Sequence, residues 1–185
     1  MPKSPRTLPT PEQAQQGVSP TADNACDLLA AARSLGVAGL HGPATSLLVL
    51  ALEEAQKARV LIALATKNDD AGLSQDEASD IIHWDHRLRH HAAFTASISP
   101  TTIAKLVRPS RRDTPLQRKQ FDADMAALAW HLKANSLKER GLYVDYIKDR
   151  WHNPREISAS EFSQGLAIVE RFVEVTALQA ANLPS

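Results

Sequence analysis

Proline placement constrains this chain more than any other feature. Five of its eleven prolines (Pro2, Pro5, Pro9, Pro11 and Pro20) fall in the first twenty residues, and Pro100, Pro109 and Pro115 cluster in another stretch. Proline lacks an amide hydrogen and clashes with the preceding turn, so it breaks helix interiors. Regular helices are therefore expected in the runs between Pro43 and Pro100, between Pro115 and Pro154, and after Pro154. Those runs repeat apolar residues at three- and four-residue steps. No stretch alternates β-branched residues as a half-buried strand would, and no segment repeats another.

Helix signals divide the chain further. A first helix is expected from Thr21 or Asp23, both good N-cap types, to Gly36 or Gly39. A second runs from about Pro43 to about Lys67, ahead of Asn68, Asp69, Asp70 and Gly72. A third starts at Ser74, with Glu77 in capping-box spacing, and carries Ile81, Trp84, Leu88 and Ala92 as one stripe. Residues from about 101 to 115 read as a linker. A fourth helix carries Phe121, Met125, Leu128 and Leu132 and stops at Gly141. The last runs from about Ser158 to Asn182, with Ser158 and Glu161 as a capping box and Phe162, Leu166, Val169 and Val173 as its stripe. A second row, Ile168, Phe172 and Val175, marks this helix as central or as shared with another subunit. Residues 1–20 read as a flexible, proline-rich tail and 21–185 as a single domain, an all-α bundle of about five helices.

Composition narrows the functional classes. The chain has 185 residues, with 21 Lys+Arg against 21 Asp+Glu. A net charge of zero excludes a surface that is basic throughout, so nucleic-acid contact needs a local patch. A single cysteine, Cys26, excludes an intramolecular disulfide and a four-cysteine zinc site, and suits a reducing cytoplasm. The polar N-terminus has no secretory apolar stretch. The longest apolar run, Leu47–Leu52, falls far short of the roughly 18–20 residues that span a bilayer. The expectation is a soluble cytoplasmic protein that makes no membrane contact.

Glu54 is the first candidate for chemistry. On a helical wheel its neighbours are Leu47, Leu50, Ala51, Ala58 and Leu61, all apolar, whereas Glu53 shares a side with Gln56 and Lys57 and pairs with Lys57. A carboxylate directed at a core must be paired, hydrogen-bonded or protonated. It is then either an ion pair tying helices together or a site acid. Cations to meet it are supplied by His83-Trp84-Asp85-His86-Arg87-Leu88-Arg89-His90-His91. His83, His86 and His90 share one helix side, opposite the Ile81/Trp84/Leu88 stripe. Such a side can transfer protons, bind phosphate, or simply be solvated. Two histidines one turn apart can also chelate a metal, but the sequence nominates no further ligand. No metal and no cofactor are expected.

Two further clusters stand out. Lys105, Arg108, Arg111, Arg112, Arg118 and Lys119 are offset only by Asp113, a group able to hold phosphates, although without interleaved aromatics for base stacking. The segment Lys138-Glu139-Arg140-Gly141-Leu142-Tyr143-Val144-Asp145-Tyr146 carries both tyrosines of the chain. It reads as a structural corner packing onto the bundle.

Taken in order, these residues resemble the AbiV family of bacterial abortive-infection proteins. The resemblance rests on Asp23-Asn24-Ala25, on Leu50-Ala51-Leu52-Glu53-Glu54-Ala55-Gln56-Lys57-Ala58, and on His86-Arg87-Leu88-Arg89, which is similar to that family's His-x-x-Lys. It continues with Arg140-Gly141-Leu142-Tyr143-Val144-Asp145 ahead of Pro154, and covers roughly residues 22–180. It implies a HEPN-like compact helical bundle, often dimeric, in a superfamily that includes many metal-independent ribonucleases of phage defence. Those enzymes share an Arg-x(4–6)-His motif. His41, His83, His86, His90, His91, His131 and His152 all lack an arginine at that distance. Arg33 to His41 is too long and Arg87 to His91 too short.

RNA cleavage of that kind needs a base for the ribose 2′-hydroxyl, a proton donor for the leaving oxygen and positive charge on the phosphate. If the second and third helices meet, as the resemblance implies, Glu54, Lys57, His86 and Arg89 form the catalytic group. His86 transfers the proton, Arg89 clamps the phosphate, Lys57 adds charge and Glu54 orients His86. Arg87, His90, Arg111 and Arg112 are the RNA-binding candidates. The expected function is an abortive-infection protein acting on RNA, as a homodimer. The alternative is a non-catalytic dimeric binding protein that recognises a phage or host protein and triggers growth arrest.

Overall fold

A computed structural model of the chain describes residues 7–67, 74–83, 93, 114–147 and 149–183. Among them are five α-helices: α1 (Pro11–Val37), α2 (His41–Thr66), α3 (Gln75–His83), α4 (Pro115–Leu142) and α5 (Ala159–Ala181). A two-stranded hairpin, β1 (Asp145–Ile147) and β2 (Arg150–His152), and a 3-10 turn (Pro154–Glu156) join α4 to α5. The all-α class holds.

Helix α1 starts ten residues earlier than expected, which corrects the reading of residues 11–20 as a flexible tail. Thr10 caps it: the Gln13 amide donates to the Thr10 hydroxyl at 3.3 Å, and the Thr10 amide donates to the Gln13 side chain at 2.9 Å. Pro11 occupies the first helical position, where its missing amide hydrogen costs nothing. Pro20 is tolerated inside the helix at the loss of one internal hydrogen bond. Ala14, Val18, Ala22, Ala25, Leu29 and Ala32 form its buried stripe. The helix ends in a turn where Gly39 takes a left-handed φ of +76°.

Helix α2 is the centre of the bundle, packing on α1, α4 and α5. Its buried residues lie on almost every side. The main core joins Ala25, Leu29, Leu48, Val49, Leu52, Trp130, Ala134, Leu137, Phe162, Val169, Phe172 and Val173. Ala93 belongs to the same core. A smaller cluster joins Ala14, Val18 and Leu61, with Leu64, Ala180 and Leu183 packed against it.

Helix α3 begins after Ser74 as expected, with Ser74 and Glu77 bonding reciprocally at 2.8 and 3.2 Å. Trp84, Leu88 and Ala92 of its expected stripe, and residues 101–113 of the expected linker, lie outside the described residues.

Helix α4 is rotated relative to the expected stripe. Leu132 is 77% exposed, while Trp130, Ala134 and Leu137 enter the core. Two glycines set the rotation. A Cβ on Gly141 would collide with the Ser46 hydroxyl and the Gly42 carbonyl, and one on Gly165 would lie 2.7 Å from Trp130 Nε1. Gly141 therefore serves close approach to α2 within the last turn; it does not stop the helix, which continues to Leu142.

The hairpin adds two short strands that no run of alternating β-branched residues announced. Tyr146 pairs with Trp151 across it, Asp145 with His152, and Ile147 with Arg150. It corrects the corner reading: Tyr143, Val144 and Tyr146 are each 59% exposed and Trp151 is 67% exposed. Helix α5 starts with the expected Ser158–Glu161 box. Its second row splits, with Phe172 buried and Val175 42% exposed.

Candidate functional site

The two adjacent glutamates of α2 take opposite roles from those the wheel assigned. Glu53 is the sealed one, 1% exposed, and its carboxylate accepts from the Lys138 ammonium of α4 at 2.8 Å. Glu54 is partly open, and pairs with Lys57 at 2.7 Å, one turn on. The Asn24 side-chain amide of α1 donates to Glu54 at 3.2 Å. The correction has a plain cause. A helix apolar nearly all round gives a wheel no contrast, and the stripe through Leu47, Leu50, Glu54 and Lys57 is its half-buried side.

Several of the sealed residues are polar. Thr45, Ser46, Glu53 and Gln56 of α2 and Asp124 and His131 of α4 are all buried. Ser46 donates to the Lys138 carbonyl at 2.7 Å, beside the Gly42–Gly141 contact. Glu53, Lys138 and Ser46 thus fasten α2 to α4. Glu53 and Gln56 at three-residue spacing, with Lys138 one turn before Gly141, were the signal available in the sequence.

Of the expected site, Glu54 and Lys57 fall within the described residues and do meet. His86, Arg89, Arg87, His90, Arg111 and Arg112 lie outside them. The histidines described elsewhere have local roles. His83 Nδ1 faces the Ser79 carbonyl at 2.9 Å, and His41 stacks on Phe162. His131 is edge-on to Trp130, and His152 lies 3.6 Å from Glu156. Among the described residues no group of three or more His, Cys, Asp or Glu side chains is placed to hold a metal.

Cys26 and Arg59 have shifted acidities. Burial pushes the Cys26 thiol up, with Asp23 and Asp27 adding to the effect, so it is a poor nucleophile at neutral pH. Burial also lowers Arg59, whose guanidinium lies 5.2 Å from the centre of the Phe172 ring.

The helical bundle built on a central α2 is consistent with the HEPN class to which a family model assigns the chain. The AbiV model of that class matches residues 13–174, from the first turn of α1 into α5, and the chain belongs to the AbiV family. Membership points to a role in abortive infection, the phage-defence response. No curated protein and no solved structure matched the chain. No helix among the described residues is long and apolar enough to cross a membrane.

Proposed function

We propose that this chain is a cytoplasmic abortive-infection effector that cleaves RNA without a metal. The observation that carries this reading is the contrast between the two glutamates. The side chains of Glu53 and Lys138 are 2% and 13% exposed and serve packing, whereas those of Glu54 and Lys57 are 19% and 24% exposed. A carboxylate–ammonium pair that solvent reaches, and that Asn24 holds in place, is available to a substrate.

In this reading the ribose 2′-oxygen attacks phosphorus and the P–O bond to the 5′-oxygen breaks. His86 moves the proton from the first oxygen to the second, Arg89 and Lys57 neutralise the phosphate, and Glu54 orients His86. Arg87, His90, Arg111 and Arg112 hold the flanking backbone by charge. Two copies assemble through the outer side of α5, where Val175 and Leu178 are 42% and 65% exposed.

The missing Arg-x(4–6)-His favours a second reading, a dimeric protein that arrests growth by binding a phage or host protein. Incubating the purified protein with total bacterial RNA, with and without EDTA and beside His86→Ala, separates the two. Cleavage that survives EDTA and disappears in the variant is expected. EDTA-sensitive cleavage would require a metal, and intact RNA throughout would leave the binding reading.

A further inference from the structure

We infer that Asn24 is a positioning residue for Glu54: its side-chain amide fixes the orientation in which that carboxylate acts. This rests on the RNA reading above.

The two oxygens of the Glu54 carboxylate are divided between two helices. Oε1 lies 2.7 Å from the Lys57 ammonium, one turn on in α2, and Oε2 accepts from Asn24 Nδ2 of α1 at 3.2 Å. An ionised carboxylate only accepts hydrogen bonds, so the amide turns its NH2 group toward it. Lysine ends a flexible four-carbon stem and by itself restrains one oxygen loosely. A second donor from a separate helix stops the carboxylate turning about its own bond. Of about four acceptor sites on a carboxylate, these contacts use two, which leaves room for the N–H of a histidine.

The contact follows from how α1 and α2 meet. Gly17 faces Leu61, and Asn24 faces Glu54, seven residues further along α1 and seven back along α2. One antiparallel register therefore sets both. Asn24 is exposed and stands outside the buried stripe of α1, which passes through Ala22, Ala25 and Leu29. That stripe holds the two helices together, so the amide is not needed for packing. The adjacent acid is engaged elsewhere, because the Ser19 hydroxyl donates to Asp23 at 3.2 Å, one turn back along α1. The residue type matters as well. A cation at position 24 would cancel the carboxylate that Lys57 already balances, and an acid would repel it. An amide holds it without changing the charge of the pair.

The test is cleavage of total bacterial RNA by full-length wild type and variants, at limiting and at saturating RNA. Asn24→Ala should lower the saturating rate about tenfold and move the half-saturating RNA concentration less than about twofold. Asn24→Asp keeps the shape but adds a like charge, and should lose more than Asn24→Ala. In a Glu54→Gln background Asn24→Ala should cost nothing further, because it acts through Glu54. Melting temperatures should stay near that of wild type, since alanine's better helix propensity offsets the loss of an exposed hydrogen bond. Full activity of both Asn24 variants beside an impaired Glu54→Gln overturns the inference and leaves the RNA reading standing. An undiminished further loss in the Glu54→Gln background also overturns it, by showing Asn24 to act on its own. So does a loss of activity matched by a fall in melting temperature in both variants, which would make Asn24 a tie between helices. Wild type that leaves RNA intact overturns the inference and the reading together.

Discussion

The ammonium of Lys138 lies 2.8 Å from the carboxylate of Glu53, with both side chains withdrawn from solvent between α2 and α4. Removing Lys138 takes away the cation that balances a buried carboxylate. Lys138→Met should therefore destabilise the protein by about 3–5 kcal/mol, measured by urea unfolding. A Glu53→Gln/Lys138→Met double variant should recover part of that loss. If the single variant were as stable as wild type, the pair would not be fastening these helices.

Glu54 should behave in the opposite way. Its pairing with Lys57 is partly solvated, so Glu54→Gln should cost less than about 1 kcal/mol of stability. Under the RNA reading it should nevertheless reduce growth arrest or RNA cleavage at least tenfold. Full activity in a folded Glu54→Gln protein would remove Glu54 from the site.

Three glycines give predictions of opposite sign. Alanine gains up to about 1 kcal/mol over glycine within a helix. At Gly141 and Gly42 the new methyl would collide with the backbone of a neighbouring element, which cannot swing away. Gly141→Ala and Gly42→Ala should each destabilise by about 1–3 kcal/mol. At Gly17 the nearest atom is Leu61 Cδ1 at 3.2 Å, the end of a flexible side chain. Gly17→Ala should be neutral or stabilising, as the shift in melting temperature will show.

Acid should loosen the start of α5. The Ser158 amide, assisted by the Ser158 hydroxyl, Arg140 and Lys133, holds the Glu161 carboxyl below the usual range despite partial burial. The unfolded chain then takes up this proton at a higher pH than the folded one. The resulting stability is present above the ordinary glutamate value of about 4.3. It is lost as pH falls through the depressed folded value. Glu161→Gln should lower the urea midpoint at neutral pH and flatten its decline in acid.

Truncation tests the corrected start of α1. Deleting residues 1–20 removes Ala14 and Val18, which are 0% and 2% exposed against Leu61, and should cost about 2–4 kcal/mol.

What was legible in the sequence follows from where its signals are local. The Ser74–Glu77 and Ser158–Glu161 boxes announce their helices because capping needs only residues three apart. The same device at Thr10–Gln13 was hidden among prolines, which start a helix at its first position and break one further in. The rotation of α4 was not legible, because contacts of Gly141 and Gly165 with other elements set it. Three-residue strands are too short to show a period, so the hairpin left no pattern to read. For the site, the Glu54–Lys57 pairing was available from the right residues but assigned to the wrong side of α2. Glu53 and Lys138 are 85 positions apart, a distance only the fold closes.

The cluster of Ala14, Val18 and Leu61, with Ala180 and Leu183 against it, has a consequence for how the protein is made. Helix α1 leaves the ribosome well before it can be finished, because part of its cover, Ala180 and Leu183, is made far later in the chain. A nascent chain interrupted before residue 180 exposes that seam and cannot lock the bundle shut.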